Sequence, residues 1–104
     1  MTNKRLDEIR KRIERIKTEL AAIDEMRPGS LTRQYKDPKN QTGSYYQLSY
    51  TRDMKSRTDY IARECVRDVR REISNYKRFK TLSAQWVALS IEHSRLKMKL
   101  ARKP

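Results

Sequence analysis

Hydrophobic residues recur every three or four positions at the beginning of the chain. They lie 3, 4, 3, 4 and 3 residues apart, at Leu6, Ile9, Ile13, Ile16, Leu20 and Ile23. This spacing aligns the apolar side chains along one stripe of an α-helix, as in helices that pack on another helix. Pro28 disfavours helical geometry in the residue before it. The pattern therefore predicts a helix over residues 3–26.

A second and longer helical pattern covers residues 62–101, which contain neither proline nor glycine. Its apolar seam has the same spacing, except for intervals of three from Tyr76 to Phe79 and from Phe79 to Leu82. Such a skip either overwinds one continuous helix or marks a break between two helices near residue 80. Both alternatives are consistent with the pattern.

Between the two helical patterns, residues 44–61 are rich in tyrosine and β-branched residues, which favour strands. We predict a β-hairpin whose first strand places Tyr46, Leu48 and Tyr50 on one face, available for burial. The opposite face is polar and carries Tyr45, Gln47, Ser49 and Thr51. A two-residue turn at Asp53-Met54 would need positive φ twice, which favours Asp-Gly, so we expect a longer loop.

Residues 27–43 contain Pro38, Asn40 and Gly43 and are predicted to be a loop. With 104 residues, 36% hydrophobic and 38% charged, the chain cannot bury a large globular core. We therefore expect one mainly α domain over residues 1–104, with two long coiled-coil-like helices and an inserted β-hairpin.

The charge balance indicates a polyanionic partner. The chain has 26 Lys and Arg against 13 Asp and Glu, a formal charge of +13. A helical projection gathers basic residues on one side of the second helix, at Arg63, Arg67, Arg70, Arg71, Lys77 and Arg78. Such a stripe is suited to nucleic-acid phosphates. The alternative is an exposed face whose arginines pair with Glu64, Asp68 and the first helix.

The hairpin is the candidate for contacts more selective than charge attraction. Its polar face and its tip together offer Tyr45, Gln47, Arg52, Lys55 and Arg57. A two-stranded ribbon fits the major groove of B-DNA, and the same residues could stack single-stranded bases. Alternatively, the tyrosines hold the hairpin against the helices, which is our interpretation for Tyr46, Tyr50 and Tyr60.

Residues 81–91 form an uncharged run with apolar residues on two sides of the helix. The predicted oligomer interface comprises Leu82, Ala84, Trp86, Val87, Ala88, Leu89 and Ile91. A two-fold homodimer is the expected arrangement, and a different partner protein is the alternative. The run is too short to cross a membrane.

We predict no catalytic residue, metal ligand or cofactor, and hence no enzyme. His93, the only histidine, occupies a seam position, and Cys65, the only cysteine, flanks the seam and is expected to be buried. A nucleophile needs a base and a metal needs several ligands, but no motif surrounds either residue. A lone cysteine permits no internal disulfide and fits a reducing cytoplasm.

Three segments, residues 28–35 (PGSLTRQY), 43–50 (GSYYQLSY) and 55–57 (KSR), carry a resemblance to a known family. They resemble a family of small uncharacterised prokaryotic proteins, a domain of unknown function often found near mobile genetic elements. Its members share a charged first helix, a Gly-Ser-Leu segment, a hairpin and a long basic final helix. Many have a cysteine-rich loop before the hairpin; here residues 36–42 contain no cysteine. A metal site implied by the family is therefore not expected.

The hairpin followed by a helix is also similar, at the level of the fold, to the arm-site DNA-binding domains of tyrosine recombinases, which read DNA with strands. Members of the family are often found near mobile genetic elements, and together with this location the similarity favours DNA over RNA. We thus expect a non-enzymatic, nucleic-acid-binding accessory protein of a mobile genetic element. The alternative is a protein-interaction module, an adaptor or inhibitor acting through its helical surface.

Overall fold

The computed structural model describes residues 2–102. In chain order its elements are α1 (Thr2–Ala21), β1 (Ser30–Asp37), β2 (Thr42–Arg52), β3 (Lys55–Ile61), a 3-10 turn (Arg63–Cys65) and α2 (Val66–Ala101). The three strands form one antiparallel sheet in the order β1-β2-β3. The prediction of a mainly α, coiled-coil-like protein with only a hairpin is therefore wrong: two helices accompany a three-stranded sheet.

The difference arises in residues 27–43, which were predicted to be a loop. Within this segment β1 pairs with β2, Leu31 opposite Leu48 and Arg33 opposite Tyr46. Only residues 38–41 connect the two strands, and the Asn40 backbone N–H and side-chain amide donate to the Asp37 carboxylate at 3.3 Å and 2.8 Å. The polar and turn-forming residues that suggested a loop thus form a short connection.

The connection between β2 and β3 is also shorter than predicted. Arg52 pairs with Lys55, which leaves a two-residue turn at Asp53 and Met54. Both residues have positive φ, 52° and 63°, as a primed hairpin turn requires. The predicted longer loop is wrong, because the turn places two non-glycine residues in the left-handed region.

Contacts divide the chain into two compact units. The helical unit contains α1 and the part of α2 from Arg78 onward, and the sheet unit comprises Glu25–Lys77. The prediction of a single domain stays a prediction. α2 is one helix of 36 residues, so it has no break near residue 80.

The core of the helical unit is formed by the apolar seams recognised in the sequence. Ile9 and Ile16 of α1 are buried with Leu82 and Leu89 of α2. Ion pairs flank this core: Arg5 donates to both carboxylate oxygens of Glu92, at 2.6 Å and 2.9 Å. These hydrogen bonds lower the pKa of Glu92 below its ordinary value. α1 ends at Ala21, five residues before the predicted end.

The core of the sheet unit is formed where the sheet packs on the first half of α2. Leu48, at the centre of β2, is fully buried and clusters with Ile61, Val69 and Ile73. Gly29, with φ of 136°, lies against this core: a Cβ there would come within 2.7 Å of Leu48 Cδ1. A side chain at this position would therefore have to displace the most buried residue of the sheet.

The β2–β3 turn leads to a test of stability. Replacing Met54, which is 98% exposed, with glycine should stabilise the protein by about 1 kcal/mol, because glycine avoids most of the left-handed penalty without losing a contact. The midpoint of urea-induced unfolding, followed by circular dichroism, should rise.

Ser56→Gly is the matched control, because Ser56 is also exposed but lies in β3 and has no positive φ. This variant should be less stable than the wild type by about 0.5–1 kcal/mol. A lower unfolding midpoint for Met54→Gly would show that the turn does not have the described geometry.

Candidate functional site

The sheet has one face covered by α2 and one face that no core residue occupies. On the covered face Leu31, Tyr46, Leu48, Tyr50 and Ile61 pack against α2. On the open face the pairing aligns Thr32, Gln34, Tyr45, Gln47, Ser49, Thr58 and Tyr60. All of these are polar or tyrosine, and none is buried. The sheet unit therefore presents a polar surface whose opposite face is covered by its core.

Two tyrosines form the largest feature of the open face. The rings of Tyr45 and Tyr60 stack, with centroids 6.4 Å apart and planes inclined by 28°. Tyr60 is 71% exposed. The prediction that Tyr60 holds the hairpin against a helix is wrong, whereas the same prediction is confirmed for Tyr46 and Tyr50, which pack on the core.

The sequence contained a signal for the exposure of Tyr60. Adjacent residues in a strand point to opposite faces. Ile61 is buried against α2, so Tyr60 must lie on the open face beside Gln47, its partner in the register. Recognising this required knowing that Ile61, rather than Tyr60, contributes to the core.

A shallow pocket of about 560 Å³ adjoins the tyrosine pair. It is lined by Lys36, Gly43, Ser44, Tyr45 and Tyr60. Gly43 has φ of 68°, and a Cβ there would lie 3.0 Å from the Cβ of Lys36, so the aliphatic stem of Lys36 passes over a bare backbone. The pocket combines two aromatic rings with one ammonium group.

The acidic residues of the sheet segment lie away from the open face. Asp59 pairs with Arg27 at 2.6 Å on the covered side, where the Arg27 guanidinium also lies 5.4 Å from the centroid of the Tyr50 ring. Asp37 accepts the hydrogen bonds of the β1–β2 connection, and Asp53 is in the turn. No carboxylate of the described strands is on the open face. An approaching anion is therefore not repelled by negative charge on these strands.

The residues of the predicted basic stripe have different neighbours in the structure. Arg63 donates to the Ser44 hydroxyl at 3.3 Å, and strand alternation places Ser44 with Tyr46 on the covered side of the sheet. Arg67 is exposed on α2. Arg70 and Lys77 line a groove with the first residues of β1. All four belong to the sheet unit.

The other two members of the stripe have partners in the fold. Arg78 lies in the helical unit, where its guanidinium donates to Glu19 at 2.8 Å. Arg71 is exposed and also interacts with other groups of the protein. The alternative that the arginines pair within the chain therefore holds for part of the stripe.

The residues of the predicted hairpin site are on two different faces of the sheet. Tyr45 and Gln47 are on the open face, whereas the register aligns Arg57 with Tyr50 and Lys55 with Arg52, on the covered side. All three cations at the tip are exposed. The structure thus brings the tyrosine pair together with Lys36, and places the tip cations on the other side of the sheet.

The predicted oligomer interface is likewise divided. Leu82 and Leu89 are buried in the core of the helical unit, and Trp86 packs against it with Lys17 Nζ 5.4 Å from its ring centroid. On the other side of α2 lies an exposed apolar stripe formed by Ala84, Val87, Ala88, Ile91 and Met98. Only the stripe is available to a partner.

The residues considered for chemistry remain isolated from one another. Cys65 is exposed, so the prediction that it is buried is wrong. His93 is half-buried, and its Nε2 atom makes no hydrogen bond to any described residue. No group of three or more His, Cys, Asp or Glu suited to a metal ion is found in the part of the chain that the structure describes. Within residues 2–102 no helix is long and apolar enough to span a membrane.

Comparison with known families identifies the class of the protein. Residues 6–71 match the family described as Domain of unknown function (DUF6788). This match covers most of α1, the whole sheet and the beginning of α2, more than half of the chain. The protein therefore belongs to this family. No curated protein and no solved structure matches it.

Proposed function

We propose that the protein is a non-enzymatic nucleic-acid-binding accessory protein that binds DNA in preference to RNA through the open face of its sheet. The observation that carries this proposal is an uncovered polar surface, free of carboxylates among the described strands, on which two tyrosines stack and at whose end lies Lys36. Its association with a mobile genetic element rests on the family resemblance.

The chemistry of the open face supports contacts to bases. The open face carries the hydroxyl group of Thr32 and the side-chain amides of Gln34 and Gln47. Such groups can donate hydrogen bonds to base edges and accept hydrogen bonds from them. Lysine and arginine contacts to phosphates fix the position of a nucleic acid without reading its sequence. A neutral polar surface bordered by Lys36 therefore suits a nucleic acid better than it suits an apolar partner.

The net charge of the sheet unit supports a polyanionic partner. The sheet unit carries twelve Lys and Arg against seven Asp and Glu. Two of these carboxylates, Asp37 and Asp59, already accept hydrogen bonds from neighbouring groups. Exposed ion pairs contribute little free energy, typically below about 1 kcal/mol, so they do not cancel the surplus charge.

Salt dependence tests the proposal. If Lys36, Arg63, Arg67, Arg70 and Lys77 each neutralise one phosphate, the affinity for a fluorescent DNA oligonucleotide should fall by roughly two to three orders of magnitude between about 50 and 200 mM salt. Lys36→Ala should weaken binding to all sequences alike and reduce the magnitude of the salt slope by roughly one, because Lys36 lines the pocket on the open face.

Arg78→Ala is the control for this measurement, because Arg78 pairs with Glu19 in the helical unit. It should leave the salt slope nearly unchanged. Equal effects of Lys36→Ala and Arg78→Ala would contradict the assignment of binding to the open face of the sheet. An affinity that does not change with salt would reject the proposed function.

A second proposal concerns self-association. We infer that the protein forms an oligomer, most simply a two-fold dimer, through the apolar stripe of α2. Val87 is 58% exposed and Ile91 47%, although α1 covers the opposite side of the helix. Large apolar side chains grouped on one face favour burial against another molecule. A different partner protein at this stripe would give the alternative function, an interaction module.

Replacing Val87 and Ile91 together with glutamate should produce a monomer, because two charges would enter the interface while the core residues Leu82 and Leu89 stay unchanged. Sedimentation at micromolar concentration measures the mass. Gln85→Glu with Ser90→Glu, two exposed polar positions, adds the same charge and should leave the oligomer intact. A monomeric wild type would exclude self-association at this concentration.

A further inference from the structure

We propose that Tyr45 and Tyr60 form a stacking site for unpaired bases of single-stranded DNA, with Lys36 contacting a neighbouring phosphate. This inference rests on the proposed function and adds the form of the nucleic acid and the residues that select it.

The exposure of Tyr60 has no explanation within the fold. It is 71% exposed, it is not part of the core cluster described beneath the sheet, and its ring stacks on that of Tyr45. Every base has a π-face, so exposed aromatic rings on a sheet bind bases of any sequence. Alanine substitution of such rings weakens binding by roughly 5- to 150-fold per base.

The pocket beside the ring pair supplies space and charge. Its volume of about 560 Å³ lies within the usual range for small-molecule sites, and one side is the bare backbone of Gly43. Lys36 lines the same pocket. A strand whose base lies on the rings would have the Lys36 ammonium group within reach of its backbone.

The geometry favours a single strand over a duplex. Bases in a duplex are stacked on one another and present only their edges in the grooves. Unpaired bases expose their faces to aromatic side chains and their Watson–Crick edges to hydrogen bonds. The open face offers both kinds of partner, because Gln47 lies beside Tyr60 in the register.

Fluorescence anisotropy at fixed salt tests the inference, with an oligothymidylate of about 12 nucleotides, a duplex of the same length and the corresponding oligouridylate as probes. Tyr60→Leu keeps an apolar side chain but removes the aromatic ring. It should weaken oligothymidylate binding by roughly 5- to 150-fold, leave the salt slope unchanged and leave duplex binding within about two-fold.

Tyr60→Phe is the matched control, because it keeps the ring and removes only the hydroxyl. It should bind oligothymidylate within about two-fold of the wild type, and Tyr60→Trp should bind at least as tightly, since stacking depends on the π-surface. Thermal melting of each variant verifies folding, which an exposed side chain should barely affect.

Several outcomes would overturn the inference. Oligothymidylate binding that Tyr60→Leu does not weaken, or weaker binding by Tyr60→Trp, would exclude stacking. If salt-dependent binding of the duplex persisted in that case, the proposed function would stand. Tighter binding of oligouridylate than of oligothymidylate would exclude the assignment to DNA. Absence of binding to all three probes would reject both the inference and the proposed function.

Discussion

The burial of Leu48 between the sheet and α2 is the constraint on which the arrangement of the sheet unit depends. Leu48 is fully buried at the centre of the middle strand, and Gly29 approaches it so closely that no Cβ fits between them. Because side chains alternate along a strand, this one residue determines which face of β2 each neighbour occupies. The register then extends the same division to β1 and β3. A shift by one residue would bury the polar set and expose the apolar one.

The composition of the open face, the proposed nucleic-acid-binding surface, follows from this division of side chains between the two faces. With Leu48 directed at α2, Tyr45 and Gln47 must be on the open face, and pairing adds Tyr60 beside them. The same alternation directs Asp59 to the covered side, where it meets Arg27. The surface is therefore aromatic and polar without carboxylates because the core requires the opposite alternation beneath it. The proposed function and the stability of the sheet unit therefore depend on the same strand register.

The parts of the fold with strong periodicity could be predicted from the sequence. The seams of α1 and α2 contain the residues that form the core of the helical unit, such as Ile9 and Leu89, and the hairpin was located from its tyrosines. β1 was not predicted, because it is an edge strand with few apolar residues and depends on pairing with β2. The turn at Met54 was missed because the register of the strands outweighs the local cost of positive φ.

The candidate site could be predicted only in part, because it combines residues from three strands. Tyr45 and Gln47 were identified from alternation in β2, whereas Lys36 and Tyr60 come from neighbouring strands whose register the sequence does not specify. The basic stripe was identified from a helical projection, which cannot show that Arg78 has a carboxylate partner on another helix. Both features, the strand register and the Arg78–Glu19 ion pair, depend on contacts between residues far apart in the sequence.

The most direct test of the central claim, that the open face binds nucleic acid, is to follow the side-chain amide signals of glutamine by NMR during titration with a DNA oligonucleotide. Gln34 and Gln47 are on the open face, and Gln85 is exposed in the helical unit. We expect the Gln34 and Gln47 signals to shift together and saturate with the binding curve, while the Gln85 signal stays unchanged. Shifts at Gln85 without shifts at Gln34 and Gln47 would contradict the claim.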